Sequence, residues 1–338
     1  MLNKRAKLFS MYVIGSVLLI LVGIVISINA GYIEIPVQRV IQTLLGEGTS
    51  QDEVTIFSFR MPRIMMAILV GMGIAVSGAI LQAISKNPLA DPGILGINSG
   101  AGFAVVLYTF FMQGIIFSQQ WLSVFLMPLV ALLGALLAAL LIYVLAWKKG
   151  TVTPTRMLLI GIGINAAFGA GIIIFQLKME PHDFMKTVVW LSGTIWGSTW
   201  TFVWAILPWL VVLIPIAIYK SRILDIMTLG EQISISVGIS LNRERFKFLV
   251  IAVLLAGVCV SVGGGITFLG LIAPHIARRL VGANHTRILP LSALIGAILV
   301  LYADTIGRII LAPVELPVGI ILSVIGAPYF IYLMFVKK

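Results

Sequence analysis

The side chains able to do chemistry are few, and their spacing matches no enzyme signature. No Gly-x-x-x-x-Gly-Lys-Ser/Thr loop is present to cradle phosphates, nor a His-Glu-x-x-His pair, nor a Gly-x-Ser-x-Gly nucleophile elbow. A single cysteine, Cys259, cannot form an internal disulfide, and no Cys/His cluster has metal-ligand spacing. Carboxylates that would serve an ion-driven carrier are limited to Asp91, in a Pro/Gly-rich loop, and Asp304, which has Arg308 four residues on, the spacing of a helical ion pair. The remaining candidates are basic. Arg60 and Arg63 flank Met61-Pro62, and Arg308 stands near the end of a later apolar run. An arginine offers a planar fork that receives a carboxylate through two hydrogen bonds, so three arginines on one rim can dock an acidic partner. Anchoring to lipid headgroups is the plainer reading of the same residues.

The elements that must position these residues follow from composition. Of 338 residues 60% are hydrophobic and 10% charged, against about 25% charged in a soluble domain. That excludes an ordinary soluble fold and predicts an all-α polytopic membrane protein. Apolar runs punctuated by charge, Pro and Gly predict ten spans, at about 8–30, 62–84, 94–112, 122–147, 155–177, 199–219, 247–263, 265–281, 288–304 and 318–336. Span 265–281 is the weakest, being short and Gly/Pro-interrupted. The run after Lys4, Arg5 and Lys7 is too long for a signal peptide and lacks an Ala-x-Ala cleavage site, so it reads as a retained first span. The whole chain, 1–338, reads as one permease domain.

Ten spans put both termini on one side. With that side cytoplasmic, it collects seventeen of the 23 basic residues, including Lys86, Lys148, Lys149, Arg243, Arg245, Arg278, Lys337 and Lys338. The outer side keeps six: Arg39, Arg60, Arg63, Lys178, Lys186 and Arg308. Acids run the other way, Glu34, Asp52 and Glu315 among those outside. The net charge of +11 is therefore mostly positive-inside topology, and nucleic acid is not expected as a partner.

At an offset of 186 residues Leu69, Gly71, Gly78, Ile80 and Pro88 match Leu255, Gly257, Gly264, Ile266 and Pro274. Five spans separate the copies, so the two cross the membrane in opposite directions, with spans 2–5 repeated as 7–10. Inverted repeats mark transporters, whose pathway opens to either side in turn; chance alignment of Gly-rich apolar segments is the plain alternative.

Between spans six and seven lies the longest cytoplasmic segment, about 220–247. Ile226, Leu229, Ile233 and Val237 recur at helical spacing, and Gly230 and Gly238 can divide the segment into two short helices. Such a hairpin either rests on lipid or inserts into a partner's cleft.

These segments have a specific resemblance. Arg60-x-Pro-Arg63, Gly78-Ala79-x-x-Gln82, Asn87-Pro88-Leu89-Ala90-x-Pro92-Gly93-x-Leu95-Gly96, the Leu229-Gly230 loop, Gly265-x-x-x-Phe268-x-Gly270-Leu271-x-x-Pro274-His275-x-x-Arg278, Ala303-Asp304-x-x-x-Arg308 and Glu315-Leu316-Pro317-Val318-Gly319 with Gly326-Ala327-Pro328-x-Phe330 occur in order over nearly the whole chain. The chain resembles the permease subunits of iron-siderophore and vitamin B12 ABC importers. That resemblance implies a ten-helix subunit of a prokaryotic cytoplasmic membrane that pairs with a second permease, receives a ferric siderophore from an extracytoplasmic binding protein and is driven by two cytoplasmic ATPase subunits. It further implies that Arg60, Arg63 and Arg308 meet acidic residues of the binding protein, and that Leu229, Gly230, Glu231 and Gly238 belong to the helices seated on the ATPase. The chain itself would bind no cofactor and catalyse nothing, ATP and Mg being used by the partner subunits.

Vitamin B12 or heme as cargo is the alternative within that machine, and an ion-coupled secondary carrier the alternative of another class. Asp304 with Arg308 fits either a local ion pair or a place in docking or pathway. Gly161, with Gly163, Gly169 and Gly171, lets helices approach closely, and Asn165 among them is a pathway candidate. His275 reads as a packing residue. Trp190, Trp196, Trp200 and Trp204 read as an interfacial belt.

Overall fold

Within a bilayer every backbone N–H and C=O needs an internal partner, so apolar runs of this length become helices. A computed structural model describes residues 2–31, 35–112, 120–148 and 151–335. Glu34, Lys149, Lys337 and Lys338, counted in the charge distribution, lie outside the described residues. The described residues form fifteen α-helices: α1 (Leu2–Asn29), α2 (Val37–Leu44), α3 (Ser50–Glu53), α4 (Met61–Ser85), α5 (Ile97–Phe111), α6 (Gln120–Ala146), α7 (Pro154–Gln176), α8 (Pro181–Leu191), α9 (Trp200–Tyr219), α10 (Ser221–Leu229), α11 (Glu231–Ser236), α12 (Leu241–Gly263), α13 (Leu269–Val281), α14 (His285–Ile309) and α15 (Val318–Phe335). A π-helical stretch, Val54–Arg60, joins α3 to α4, and two short strands, β1 (Trp147–Lys148) and β2 (Thr151–Val152), pair antiparallel before α7.

Seven of these segments are long and apolar enough to cross a membrane, and α5 and most of α15 are shorter apolar helices. The expected span 265–281 is revised. Residues 264–268 leave the helix, and α13 has 13 residues, roughly 20 Å against an apolar layer of about 30 Å. Helix α8 was not expected in the connection after the fifth span. Pro181 at its first position, with no N–H to lose, starts it.

The two repeats are recognisable by length order. Helices α4 to α7 have 25, 15, 27 and 23 residues, and α12 to α15 have 23, 13, 25 and 18. They interlock, α4 packing on α13 and α14 of the other repeat while α12 packs on α5 and α6. Val70 lies beside Gly263, Gly73 beside Cys259, and Ser77 Oγ donates to the Ala252 carbonyl at 2.7 Å. Numbers rise along α4 as they fall along α12, so the matched helices run antiparallel, as an inverted repeat requires.

Helix α4 is the buried centre, sheathed by α9, α12, α13 and α14. Its contact with α14 is backbone on backbone. A Cβ at Gly71 would stand 2.4 Å from the Gly296 carbonyl oxygen, and one at Gly296 would stand 2.2 Å from that of Gly71. Arg63 begins α4 at what we term the arginine end, and Ser85 closes it at the hairpin end, where Lys86 adopts a left-handed conformation (φ 52°) just before Asn87-Pro88. Helix α7, by contrast, packs on α5 and α6 with few fully buried residues.

Candidate functional site

At the arginine end three sequence-distant segments bring Arg60, Arg63 and Arg308 together, the last two sharing the Asp304 carboxylate. Arg63 grips Asp304 through Nε (3.0 Å) and Nη2 (2.8 Å), and its Nη1 reaches Glu315 at 2.7 Å. Arg308 pairs with the same Asp304 from four residues on, Nε to Oδ2 3.2 Å, and donates to the Ala30 carbonyl at 3.1 Å and to Ser27 Oγ. Arg60 donates to the carbonyl of Ile28. Arg60 and Arg308 are buried, Asp304 is 2% exposed, and the Glu315 side chain is 36% exposed. The forks expected on a rim are thus engaged inside the chain. They tie α1, α4 and α14 into one unit, with the Arg63–Glu315 pair at its open edge.

Midway along α4 the two repeats meet through their irregular stretches. Gly263 sits level with Val70, so the break after α12 lies about 10 Å along α4 from Arg63, within the apolar layer. Irregular backbone is tolerated there because protein covers it. A Cβ at Gly264 would stand 2.2 Å from the Trp190 carbonyl oxygen, and one at Gly265 would stand 2.4 Å from that of Leu191. The loop before α5 approaches from the other side. Asp91 Oδ1 accepts from Gly93 N at 2.7 Å, and Asn98 Nδ2 donates to the Ile266 carbonyl at 3.0 Å. Asn98 therefore ties the first repeat to the break before α13, and Asp91 Oδ2 lies close against Gly270 at the start of that helix. Around these contacts opens a cavity of about 540 Å³ lined by Asp91, Asn98, Asn165, Thr267, Phe268 and Phe330, among others.

Asn165 accordingly faces the central cavity. Gly161 does not line it: a Cβ there would meet Leu95 Cα at 3.1 Å, making it the close crossing of α7 on the loop before α5. Asp304 belongs to the arginine end instead of the cavity. His275 packs edge-on against Tyr329. Of the tryptophans, Trp196 and Trp204 are exposed, Trp200 is tied through Nε1 to the Phe57 carbonyl, and Trp190 is buried at the end of α8, so it is no part of a belt.

The hairpin end carries α10 and α11, separated at Gly230 (φ 137°) and followed by Gly238 (φ 85°), both in the region that favours glycine. Leu224 and Met227 turn inward, while Leu229, Ile233, Ile235 and Val237 stay exposed, an apolar face with no cover among the described residues. Glu231 Oε1 accepts from Arg245 Nη2 at 2.7 Å, and Arg245 Nη1 donates to the Val152 carbonyl at 2.9 Å. That bond holds the Glu231 carboxyl below its ordinary value. Two residues that sequence reasoning passed over complete this end: Asp225 Oδ1 accepts from both the backbone N (2.8 Å) and Nδ1 (2.6 Å) of His285. Asn284, a residue type that caps helices, gave the one local signal there, and its side chain does accept from Thr286 N. A pairing across 60 residues leaves no local trace.

Residues 18–336 match the FecCD transport family. The chain is 55% identical over 317 residues to the iron(3+)-hydroxamate import system permease protein FhuG of Bacillus subtilis (strain 168), covering 94% of each. It is 34% identical over 309 residues to the Fe(3+) dicitrate transport system permease protein FecD of Escherichia coli (strain K12), 91% of this chain and 93% of that one. A solved inward-facing conformation of a metal-chelate type ABC transporter aligns with a TM-score of 0.82 and 29% identity, over 95% of this chain and 98% of that chain.

Proposed function

The chain belongs to the FecCD transport family, and from that premise we propose that it is the permease subunit of a binding-protein-dependent ABC importer that carries a ferric siderophore across the cytoplasmic membrane. The observation that carries the cargo class is the 55% identity, along 94% of both chains, to a permease named for iron(3+)-hydroxamate import. Two permeases enclose the pathway, the hairpin end faces the cytoplasm as the basic residues favour, and ATP with Mg is used on separate subunits. The exposed apolar face of α10 and α11 supports a seat for those subunits. Nucleotide-driven movement of the hairpin tilts the helices above it and switches access between the two sides.

At the arginine end, Arg63 and the half-exposed Glu315 support a docking role in which an acidic group of the binding protein displaces Glu315. Buried Asp304, itself paired with Arg308, holds Arg63 in place for that exchange. Glu315→Ala then strengthens capture of the binding protein by the detergent-solubilised complex, and Arg63→Ala weakens it, read by surface plasmon resonance at low salt. Unchanged affinity in both variants would place docking elsewhere.

Cargo is tested by radiolabelled uptake in a deletion strain complemented with this gene, comparing ferric hydroxamates, ferric citrate, heme and cobalamin. Selective recovery of ferric-siderophore uptake is expected, and recovery with cobalamin or heme alone would sink the iron reading. Uptake into liposomes that persists without the ATPase subunits and follows a proton gradient would instead establish a secondary carrier.

A further inference from the structure

Helix α14 joins the two ends of the molecule. It is continuous over 25 residues, about 37 Å long. Its last turns hold Asp304 and Arg308 in the arginine cluster, and its first residue, His285, is held by Asp225 of α10. A second contact reinforces the first, Ser221 Oγ lying 2.9 Å from Thr286 Oγ1. Between these ends α14 crosses α4 at Gly296 and Gly71, backbone against backbone with no room for a Cβ on either helix. The link to α13, by contrast, passes through Gly282 in a left-handed conformation (φ 79°). Beside it opens a cavity of about 810 Å³ lined by Asp225, Thr228, Leu229, Gly282, Asn284 and Arg287. The start of α14 is therefore fastened to the hairpin by side-chain contacts, while its link to α13 runs through a glycine bordering that cavity.

We propose that the Asp225–His285 contact is a latch through which displacement of α10 moves α14 as a lever over the Gly71–Gly296 crossing, coupling the hairpin to the arginine end. His285 and Asp225 are positioning residues, since neither faces cargo or nucleotide. One carboxylate oxygen receiving two N–H groups of one residue fixes both the position and the direction of the first turn of α14. The proposal rests on the reading of α10 and α11 as the ATPase seat.

The test uses the full complex of permease, ATPase subunits and binding protein in nanodiscs. His285→Ala should copurify with the ATPase subunits and keep basal hydrolysis, while stimulation of hydrolysis by the loaded binding protein falls about tenfold, the size of an ordinary coupling free energy. Asp225→Ala should lose the same stimulation, and Asp225→Asn, whose amide oxygen still accepts both N–H groups, should retain most of it. The double variant should be no worse than either single one. Full stimulation in both alanine variants, or a loss in Asp225→Asn as deep as in Asp225→Ala, would overturn the latch. Should the alanine variants not fold, Thr286→Val, which removes only the hydroxyl contact, carries the test: partial loss supports the latch and full stimulation overturns it. The seat is tested separately, because Leu229→Asp leaving ATPase copurification intact would remove that reading whatever the latch variants do.

Discussion

The two repeats share spacing, yet their matched segments fold differently. Val76-Ser77-Gly78-Ala79-Ile80 stays helical inside α4, whereas Val262-Gly263-Gly264-Gly265-Ile266 ends α12 and opens into the central break. Each glycine in a helix interior costs about 1 kcal/mol relative to alanine, so three in succession weaken the second copy while one leaves the first intact. Tertiary packing needs them as well, because the carbonyls of Trp190 and Leu191 occupy the space of any Cβ at Gly264 and Gly265. The first copy thus forms the rigid centre and the second forms the interruption beside the cavity. Divergence within an inverted repeat gives one half a continuous buried helix and the other an interruption at the matched position.

The largest expected effect comes from cutting the ion pairs that bind the repeats to each other at the arginine end. Asp304→Ala leaves the buried guanidinium of Arg308 and the nearly buried one of Arg63 without their shared carboxylate, which should cost about 3–5 kcal/mol. Thermal unfolding of the purified permease reads this, and a change within error would show the cluster to be well solvated. Next, Gly71→Ala and Gly257→Ala compare matched positions directly. The first drives a Cβ into the Gly296 carbonyl oxygen at 2.4 Å, while the second meets only the Leu132 side chain at 3.1 Å and Ala135 at 3.4 Å. We expect about 3 kcal/mol for Gly71→Ala and under about 1 kcal/mol for Gly257→Ala, since flexible side chains yield where backbone does not. Equal losses would restore the symmetry that packing denies.

The smallest effect belongs to the tether between the hairpin and the second repeat. Glu231 is more than half exposed, so Glu231→Gln should cost well under about 1 kcal/mol. Its pH dependence has a definite sign. Arg245 holds the folded carboxyl below the ordinary value of about 4.5, so the contribution is complete above that value and disappears as the pH falls through the lowered one. Comparing the wild type with Glu231→Gln from pH 7 down to pH 3 should show a gap that closes only at the acid end. A gap closing near neutrality would implicate another group.

Much of this architecture can be read from the chain before folding is considered. Apolar length determines the spans because an unpaired backbone group in lipid costs several kcal/mol. Charge distribution favours one orientation, the 186-residue offset marks the repeat, and Gly230 and Gly238 mark the hairpin turns. These are local or periodic signals, carried by a few adjacent residues. The 265–281 segment departs from a continuous span because its apolar character predicts burial, and a buried break is as apolar as a buried helix.

What only the tertiary structure decided is who meets whom. Arg63 finds Asp304 across 241 residues, and Asp225 finds His285 across 60. The sequence presents three arginine forks, one of them spaced to pair with Asp304, and packing gathers them into one cluster whose open edge is the Arg63–Glu315 pair. Likewise Asn98 finds the Ile266 carbonyl across 168 residues and ties the two repeats together. A sequence declares a side chain's chemistry and the helix it rides on. The partner of a buried charge is settled only when helices cross, because desolvation requires a partner wherever that crossing happens to bring one.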